Sequence, residues 1–502
     1  MKTCLIESTK ISRRSFLQTL GALTLSGSLA ACGGTGKAKS DRLAAGSLAY
    51  TPDEVVTVEF SDGGITVSPE DAAGLAVEGT ALSVSGAGVY ALSGNCADGS
   101  VKVEARTEGV VLLLDGLTLT SADTAPMVCG ESTGVTIAVV DGTENTLTDS
   151  EANDPDNAAD NENAEKAVVK CKDGSQVVLC GGGALTVNAL GKNGIKSGTA
   201  LDDRDASLTI RELTLNIEAL VNDAINAEQR LKVESGNLTI AAGEDAIHCD
   251  MELNIGAEGT TGPAITVSTC SEGLEGAVLN IHSGNMDITS TDDCLNAANS
   301  DLGDYAFEIN ISGGTIKAYS SEGDGFDSNG TLTITGGDIS VWTANAADNQ
   351  PLDADGRITI SGGAVLAAGG SAGMGFSISA SQPYVTFGGG RDSSLSLTGG
   401  EVFSIADESG KSVLDSTALC DAAFLFYSSP ALTAEGRYSV QSTVTATAKT
   451  GKADPQFGGN GGPGGGGQRP DGMTPPDGQM PQGQPPQSDG ATPPELPAAS
   501  SN

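Results

Sequence analysis

One short phrase recurs through the middle of the chain, written as polar, small, large apolar, polar, small. It stands as Asn193-Gly194-Ile195-Lys196-Ser197, Asp223-Ala224-Ile225-Asn226-Ala227 and Asp245-Ala246-Ile247-His248-Cys249. Glu272-Gly273-Leu274-Glu275-Gly276, Asp293-Cys294-Leu295-Asn296-Ala297 and Asp324-Gly325-Phe326-Asp327-Ser328 follow, with Leu352-Asp353-Ala354 as a worn last copy. The chemistry-bearing residues are Asp223, Asp245, Asp293 and Asp324 at the head of the phrase. Asn226, Asn296, Asp327 and Asp353 fill its fourth place. Carboxylate and amide oxygens are the donors that Ca²⁺ collects in sets of six to eight. Should equivalent positions superimpose, the carboxylates would stand about 5 Å apart and repel one another unless a cation lay between them. These eight residues are therefore the predicted calcium ligands. The competing reading is that each Asp or Asn merely opens a turn by accepting from nearby backbone.

The spacing says what must hold them. The large apolar residue advances by 30, 22, 27, 21, 31 and 26 positions, a period of about 26 residues that marks a solenoid. Each period holds short alternating runs such as Leu208-Thr209-Ile210, Leu238-Thr239-Ile240 and Leu332-Thr333-Ile334, closed by turns such as Gly313-Gly314 and Gly336-Gly337. No stretch beyond the N-terminus carries a helical period. The predicted fold is all-β, a right-handed parallel β-helix in which Ile195, Ile225, Ile247, Leu274, Leu295, Phe326 and Leu352 stack inside.

Composition agrees. The 502 residues include 69 glycines, costly inside helices, and 65 acidic against 26 basic groups, for a net charge of −39. That balance argues against nucleic acid, whose phosphates need Lys and Arg. At the N-terminus, Arg13 and Arg14 in Ser12-Arg13-Arg14-Ser15-Phe16-Leu17 form a twin-arginine-type export signal, and Leu29-Ala30-Ala31-Cys32 has the form of a lipobox. Cys32 is then the lipidation site, and the protein is expected to be exported and lipid-anchored on the outer face of the cytoplasmic membrane. Removing residues 1–31 deepens the charge to −42. The expected organisation is signal peptide 1–31, linker 32–50, N-terminal β region 51–165, β-helix core 166–400, β cap 401–450 and a disordered Gly/Pro/Gln-rich tail 451–502. That last stretch holds 11 of the 19 prolines. The run from Asp149 to Glu165, with seven acids and four asparagines, reads as a solvated loop. Cys96–Cys129 and Cys171–Cys180 are candidate disulfides that sequence does not choose between.

Further phrases carry a family resemblance. Gly88-Val89-Tyr90-Ala91-Leu92-Ser93-Gly94, Asp115-Gly116-Leu117-Thr118-Leu119-Thr120-Ser121 and Asp141-Gly142-Thr143-Glu144-Asn145-Thr146-Leu147, with the Asp-Gly-Ile-like repeats and Ser428-Ser429-Pro430, resemble the bacterial surface carbohydrate-binding domain-containing proteins. The likeness covers about residues 55–450. It implies a parallel β-helix similar to pectate lyases, bound calcium, and attachment to pectic or cellulose-like polysaccharide. The chain departs from the pattern at Glu272-Gly273-Leu274 and Gln350-Pro351-Leu352, which weakens the expectation of cation sites at those two coils.

Three functional classes remain. A lyase of pectate type needs a Lys or Arg base beside the cation-bound uronate, and of Lys196, Lys317 and Arg357 only Lys196 lies within the phrase. A spacer or adhesion protein would need no glycan at all. The expectation is a binding module rather than an enzyme, with Trp342, Tyr319 and Lys196 as carbohydrate-contacting residues. Aromatics make up 4% of the chain and are not periodic, so recognition by polar and cation-bridged contacts fits better than stacking.

Overall fold

The computed structural model describes residues 44–50, 55–303, 305–344, 349–370, 377–389 and 395–453. Arg13 and Arg14 of the expected signal peptide, the expected lipidation site Cys32 and residues 454–502 of the expected tail lie outside them. The alternating runs become strands because each places one apolar row inward and one polar row outward. A coil comprises three strands, as in Ile225–Ala227, Arg230–Val233 and Asn237–Ala242. Each pairs in parallel, in register, with its equivalents one coil before and after. Ile225 faces Ile195 and Ile247, Leu231 faces Leu208 and Leu253, and Leu238 faces Leu215 and Ile265. This is a parallel β-helix, and parallel crossovers of this kind wind right-handed.

The predicted ladder is the interior row of the first face. Ile195, Ile225, Ile247, Leu274, Leu295 and Phe326 are consecutive register partners, Phe326 bridges to Leu352, and all seven are fully buried. The row also runs four coils further toward the N-terminus, through Val169, Met127, Val101 and Leu82. Those coils lack the Asp, Asn or Glu head of the phrase. Their strands are longer plain runs such as Val110–Thr120, which turns the corner between two faces through a register shift against Leu92 and Gly94. Gly94 sits at φ +98°, and a Cβ there would collide with the Phe60 carbonyl, so only glycine fits this bend.

Both ends of the parallel stack are closed. Val55–Ser61 and Gly64–Ser68 form an antiparallel hairpin on the first coil. At the other end Phe424–Ser428 pairs antiparallel with both Ala364–Gly369 and Ile378–Gly388. A separate antiparallel sheet, in the order Ser412–Thr417, Val402–Asp407, Arg437–Val440, Val444–Thr447, covers a second apolar cluster. Ordered strand continues through Lys449–Ala453, three residues into the expected tail.

Three other expectations are corrected. The last residues of the expected linker dock on the coils: Ala45 is buried against Ala91, Leu113 and Ala138, and Ser47 hydrogen-bonds Glu212. The acidic run is anchored rather than simply solvated. Its Asn153 is fully buried, donating to Asp149 Oδ2 and the Ala167 carbonyl and accepting from the Glu165 N–H. Asn153→Ala strands these groups and should lower unfolding stability by about 2 kcal/mol, read by denaturant titration. Finally, the eight described cysteines are all free thiols. Cys129 stacks in register on Cys171 of the next coil, which pairs neither with its proposed partner.

Candidate cation site

Outward from the apolar ladder, the fourth position of the phrase forms its own column. Its register partners run Lys170, Lys196, Asn226, His248, Glu275, Asn296 and Asp327, and the Phe326–Leu352 bridge brings Asp353 next. The column is basic at one end and acidic at the other.

The head-position residues do two jobs, so the turn reading and the ligand reading both hold in part. Asp223 Oδ1 accepts the Asp245 N–H at 3.2 Å, Asp293 Oδ1 accepts the Asp324 N–H at 2.6 Å, and Asp324 Oδ1 accepts the Gln350 N–H. In these three copies one carboxylate oxygen ties its coil to the next. What the second oxygen meets differs along the column. Asp223 Oδ2 accepts from Asn226 Nδ2 at 2.7 Å, so this pair satisfies itself. Asp245 Oδ2 lies 3.2 Å from His248 Nδ1. Asp324, Asp327 and Asp353 instead bring one carboxylate oxygen each to within 4.8 Å of one another. The predicted ligand set is therefore split: Asp324, Asp327 and Asp353 converge, with Asp293 and Asn296 adjoining. Asp223, Asn226 and Asp245 lie apart from them.

Electrostatics single out the same end. Burial, with the neighbouring carboxylates adding to it, pushes Asp293 up to about 8, Asp324 to about 7 and Asp327 to about 6. Glu272 is pushed to about 8 for the same reason, although Asn296 Nδ2 donates to it at 2.9 Å. Among the described residues no lysine or arginine forms an ion pair with this group. Two buried acceptors also lack a protein partner: Asn296 Oδ1, on a residue 8% exposed, and Gln350 Oε1, on one 4% exposed. A buried amide oxygen beside ionisable carboxylates is costly unless a donor or cation meets it. The all-oxygen donor set fits Ca²⁺, with Asp324, Asp327, Asp353 and Asn296 as the residues that would hold it.

The expected sugar-contacting residues fare unevenly. Trp342 is fully buried, its ring edge-on to Phe403 under the C-terminal sheet. It has no face to offer a sugar, because that sheet covers the outer side of its strand. Tyr319, its register neighbour, is half-buried against the same cluster. Lys196 faces outward on the column, 2.9 Å from Asn226 Oδ1 and 3.0 Å from Glu228.

Several residues escaped sequence reasoning. Lys170 lies one coil before Lys196 and, pushed down by burial and by that neighbour's charge, forms a second basic group. Its local phrase, Ala167-Val168-Val169-Lys170-Cys171, has no polar head and so breaks the pattern. His248, where the scarcity of histidines argued against a zinc site, occupies the fourth position of its copy and contacts Asp245, Glu275 and Asp250. Glu275 belongs to a copy whose departure from the pattern hid it.

The sequence model of the family described as carbohydrate-binding domain-containing protein matches residues 78–373 and, in an overlapping second match, 259–404. Together these exceed half of the chain. A carbohydrate-binding domain-containing protein of Acetivibrio thermocellus is 29% identical over 184 residues, 36% of this chain and 60% of that protein. The match thus spans less than two thirds of that relative's length. A solved structure described as a polysaccharide lyase-like protein from C. thermocellum, in a gadolinium derivative, is similar over 61% of this chain and 96% of that one, with 23% identity and a TM-score of 0.34.

Proposed function

The chain belongs to the carbohydrate-binding domain-containing protein family, and from that premise we propose that it is a surface lipoprotein binding acidic polysaccharide through a calcium-loaded column of its β-helix. The observation that carries this reading is the convergence of Asp324, Asp327 and Asp353 beside the unpartnered Asn296 oxygen. An ion held there retains open coordination sites, since the cluster lies at the outer surface of the coil and is only partly buried. A uronate carboxylate can fill them. The strong negative charge of the chain repels such a polymer, so the cation is what makes attachment favourable.

The basic end of the column supports the same ligand class. Lys170 and Lys196 stand on adjacent coils, with the Glu228 and Glu165 carboxylates partly offsetting their mutual repulsion. Lys196 is five coil steps from Asp327, about 24 Å at the strand spacing. That separation favours binding over lyase chemistry at these groups, because a catalytic base must reach the proton of the same cation-bound sugar. Secretion through Arg13 and Arg14 and lipidation at Cys32 would set the domain outside the cytoplasmic membrane.

The deciding experiment is retention on insoluble polygalacturonate with calcium and with chelator. Retention is expected with calcium alone, and equal retention with chelator would sink the proposal. Sustained growth of ultraviolet absorbance from unsaturated products would replace it with the lyase reading. Lys170→Gln should weaken retention about tenfold, the worth of one charged hydrogen bond, without altering calcium affinity. Calorimetry of the same variant with calcium checks the second half.

A further inference from the structure

The second titratable cluster, three coils from Asp327 on the same column, differs in kind from the first. Asp245, His248 and Glu275 bring a carboxylate oxygen, a ring nitrogen and a second carboxylate oxygen to within 4.8 Å of one another. The imidazole is oriented from behind: its Nε2 lies 2.7 Å from Asp250 Oδ1. A carboxylate that accepts the N–H of one ring nitrogen leaves the lone pair of the other directed at a metal, the usual outer-shell arrangement of metal-bound histidine. Here that other nitrogen, Nδ1, meets two oxygens rather than one. Asp245 Oδ2 stands at 3.2 Å, and Glu275 Oε2 is closer still. A single N–H lies in the ring plane along one direction and aligns with one acceptor. A cation among the three donors engages both oxygens and the nitrogen together.

We propose that Asp245, His248 and Glu275 form a second metal centre, ligated by one imidazole and two carboxylates, for a zinc-like transition-metal dication. The backbone makes it rigid. Asp245 and His248 flank Ile247, whose side chain is fixed in the apolar ladder, and Glu275 is the register partner of His248 on the following coil. The mixed nitrogen and oxygen donor set separates it from the oxygen-only cluster: imidazole suits zinc and its neighbours, whereas calcium takes oxygen. Three coil steps put the two centres about 14 Å apart, so each ion is held by its own ligands. Loading exchanges the imidazole proton, released to solvent, for the metal. The ligands are half-buried at the outer face, leaving room for water in the remaining positions. This inference is independent of the glycan reading, because it concerns an ion and not a polymer.

The test uses the full chain saturated with calcium and titrated with cobalt(II), followed by its visible absorption, and with zinc(II), followed by calorimetry. One equivalent of each is expected to bind. His248→Gln should weaken that affinity at least 100-fold while calcium binding persists at Asp324, Asp327 and Asp353. Crystals soaked in zinc and measured at the zinc edge should place the anomalous peak between His248 Nδ1 and Glu275, a result that needs no variant. Absence of zinc heat and cobalt bands, bands unchanged in His248→Gln, or a peak elsewhere would overturn the assignment and leave His248 as a charged strut.

Discussion

Asp327→Asn weakens calcium binding on the order of 100-fold and abolishes retention on polygalacturonate, while making the calcium-free protein more stable. The two halves of this expectation share one cause. Asp327 converges with Asp324 and Asp353, and burial together with Asp353, Asp355 and Asp292 raises its pKa to about 6. In a calcium-loaded site its negative charge is part of what holds the ion, and charge count sets affinity in oxygen-ligand sites. Without the ion, the same charge sits among carboxylates that repel it. The amide is nearly the same shape, removes the repulsion and leaves the coil intact. After discounting for solvent screening, relief of about 1 to 2 kcal/mol is expected in the absence of calcium. Calorimetric calcium titration and chelator-treated denaturant melts read the two effects separately. A variant that loses stability without calcium would show that Asp327 is a structural turn residue, and unchanged affinity would remove it from the ligand set.

The apolar ladder was legible in the sequence because a parallel β-helix repeats its own cross-section. Any position that must be large and apolar in one coil must be so in the next, so Ile195 to Leu352 stand out even at uneven spacing. The N-terminal coils were not legible as repeats. Between Leu82 and Val169 the interior row is kept, but the outward polar positions vary, and the period has nothing else to show itself by. The candidate site was half legible. Asp and Asn at repeated positions mark a column, but which of them converge depends on the fourth-position partner. Asn226 satisfies Asp223 and His248 engages Asp245, whereas Asp327 offers Asp324 only another charge. Trp342 shows the opposite failure. On an outward position of an exposed-looking strand it reads as a sugar platform, and only the distant segment Val402–Thr447 reveals that the outer face is itself covered.

In a chain of net charge −39, the charges along the column are unevenly distributed. Asp292, Asp293, Asp324, Asp327 and Asp353 interact at one end, while Lys170 and Lys196 adjoin at the other. A linear polyanion laid along the coils would meet lysine ammonium groups at one end and, with calcium bound, a cation at the other. Without calcium, that second end presents only carboxylates. Affinity for acidic glycan should therefore respond to calcium more steeply than to any single lysine.

The metal-free protein loses stability as pH rises from about 4 to about 8, and calcium restores it increasingly over the same window. Asp293 and Glu272 are raised to about 8, Asp324 to about 7 and Asp327 to about 6. An acid with a folded-state pKa above its unfolded value binds its proton more tightly when folded. Across the interval between the two values, the native state carries more protons, and the free energy of unfolding falls as pH increases. Above about pH 8 these carboxyls are ionised in both states and the slope from them ends. His248 acts in the same direction. Burial would lower its pKa from 6.5, but Asp245, Asp250 and Glu275 hold it up to about 12. Its stabilisation is complete below the unfolded value and declines above it as pH climbs toward 12. Calcium binds the ionised carboxylates in competition with protons, so its affinity, and the stabilisation that follows by mass action, grow as the acids ionise. The combined effect of four coupled acids should exceed that of the Asn153 truncation. Thermal melts from pH 4.5 to 8.5, on metal-free and calcium-saturated protein, should give two curves that meet at the acid end and diverge toward pH 8. A metal-free melting temperature that rises with pH across this range would show that the carboxylates are paired or solvated in solution. The ligand cluster would then lack the unneutralised charge that draws the ion.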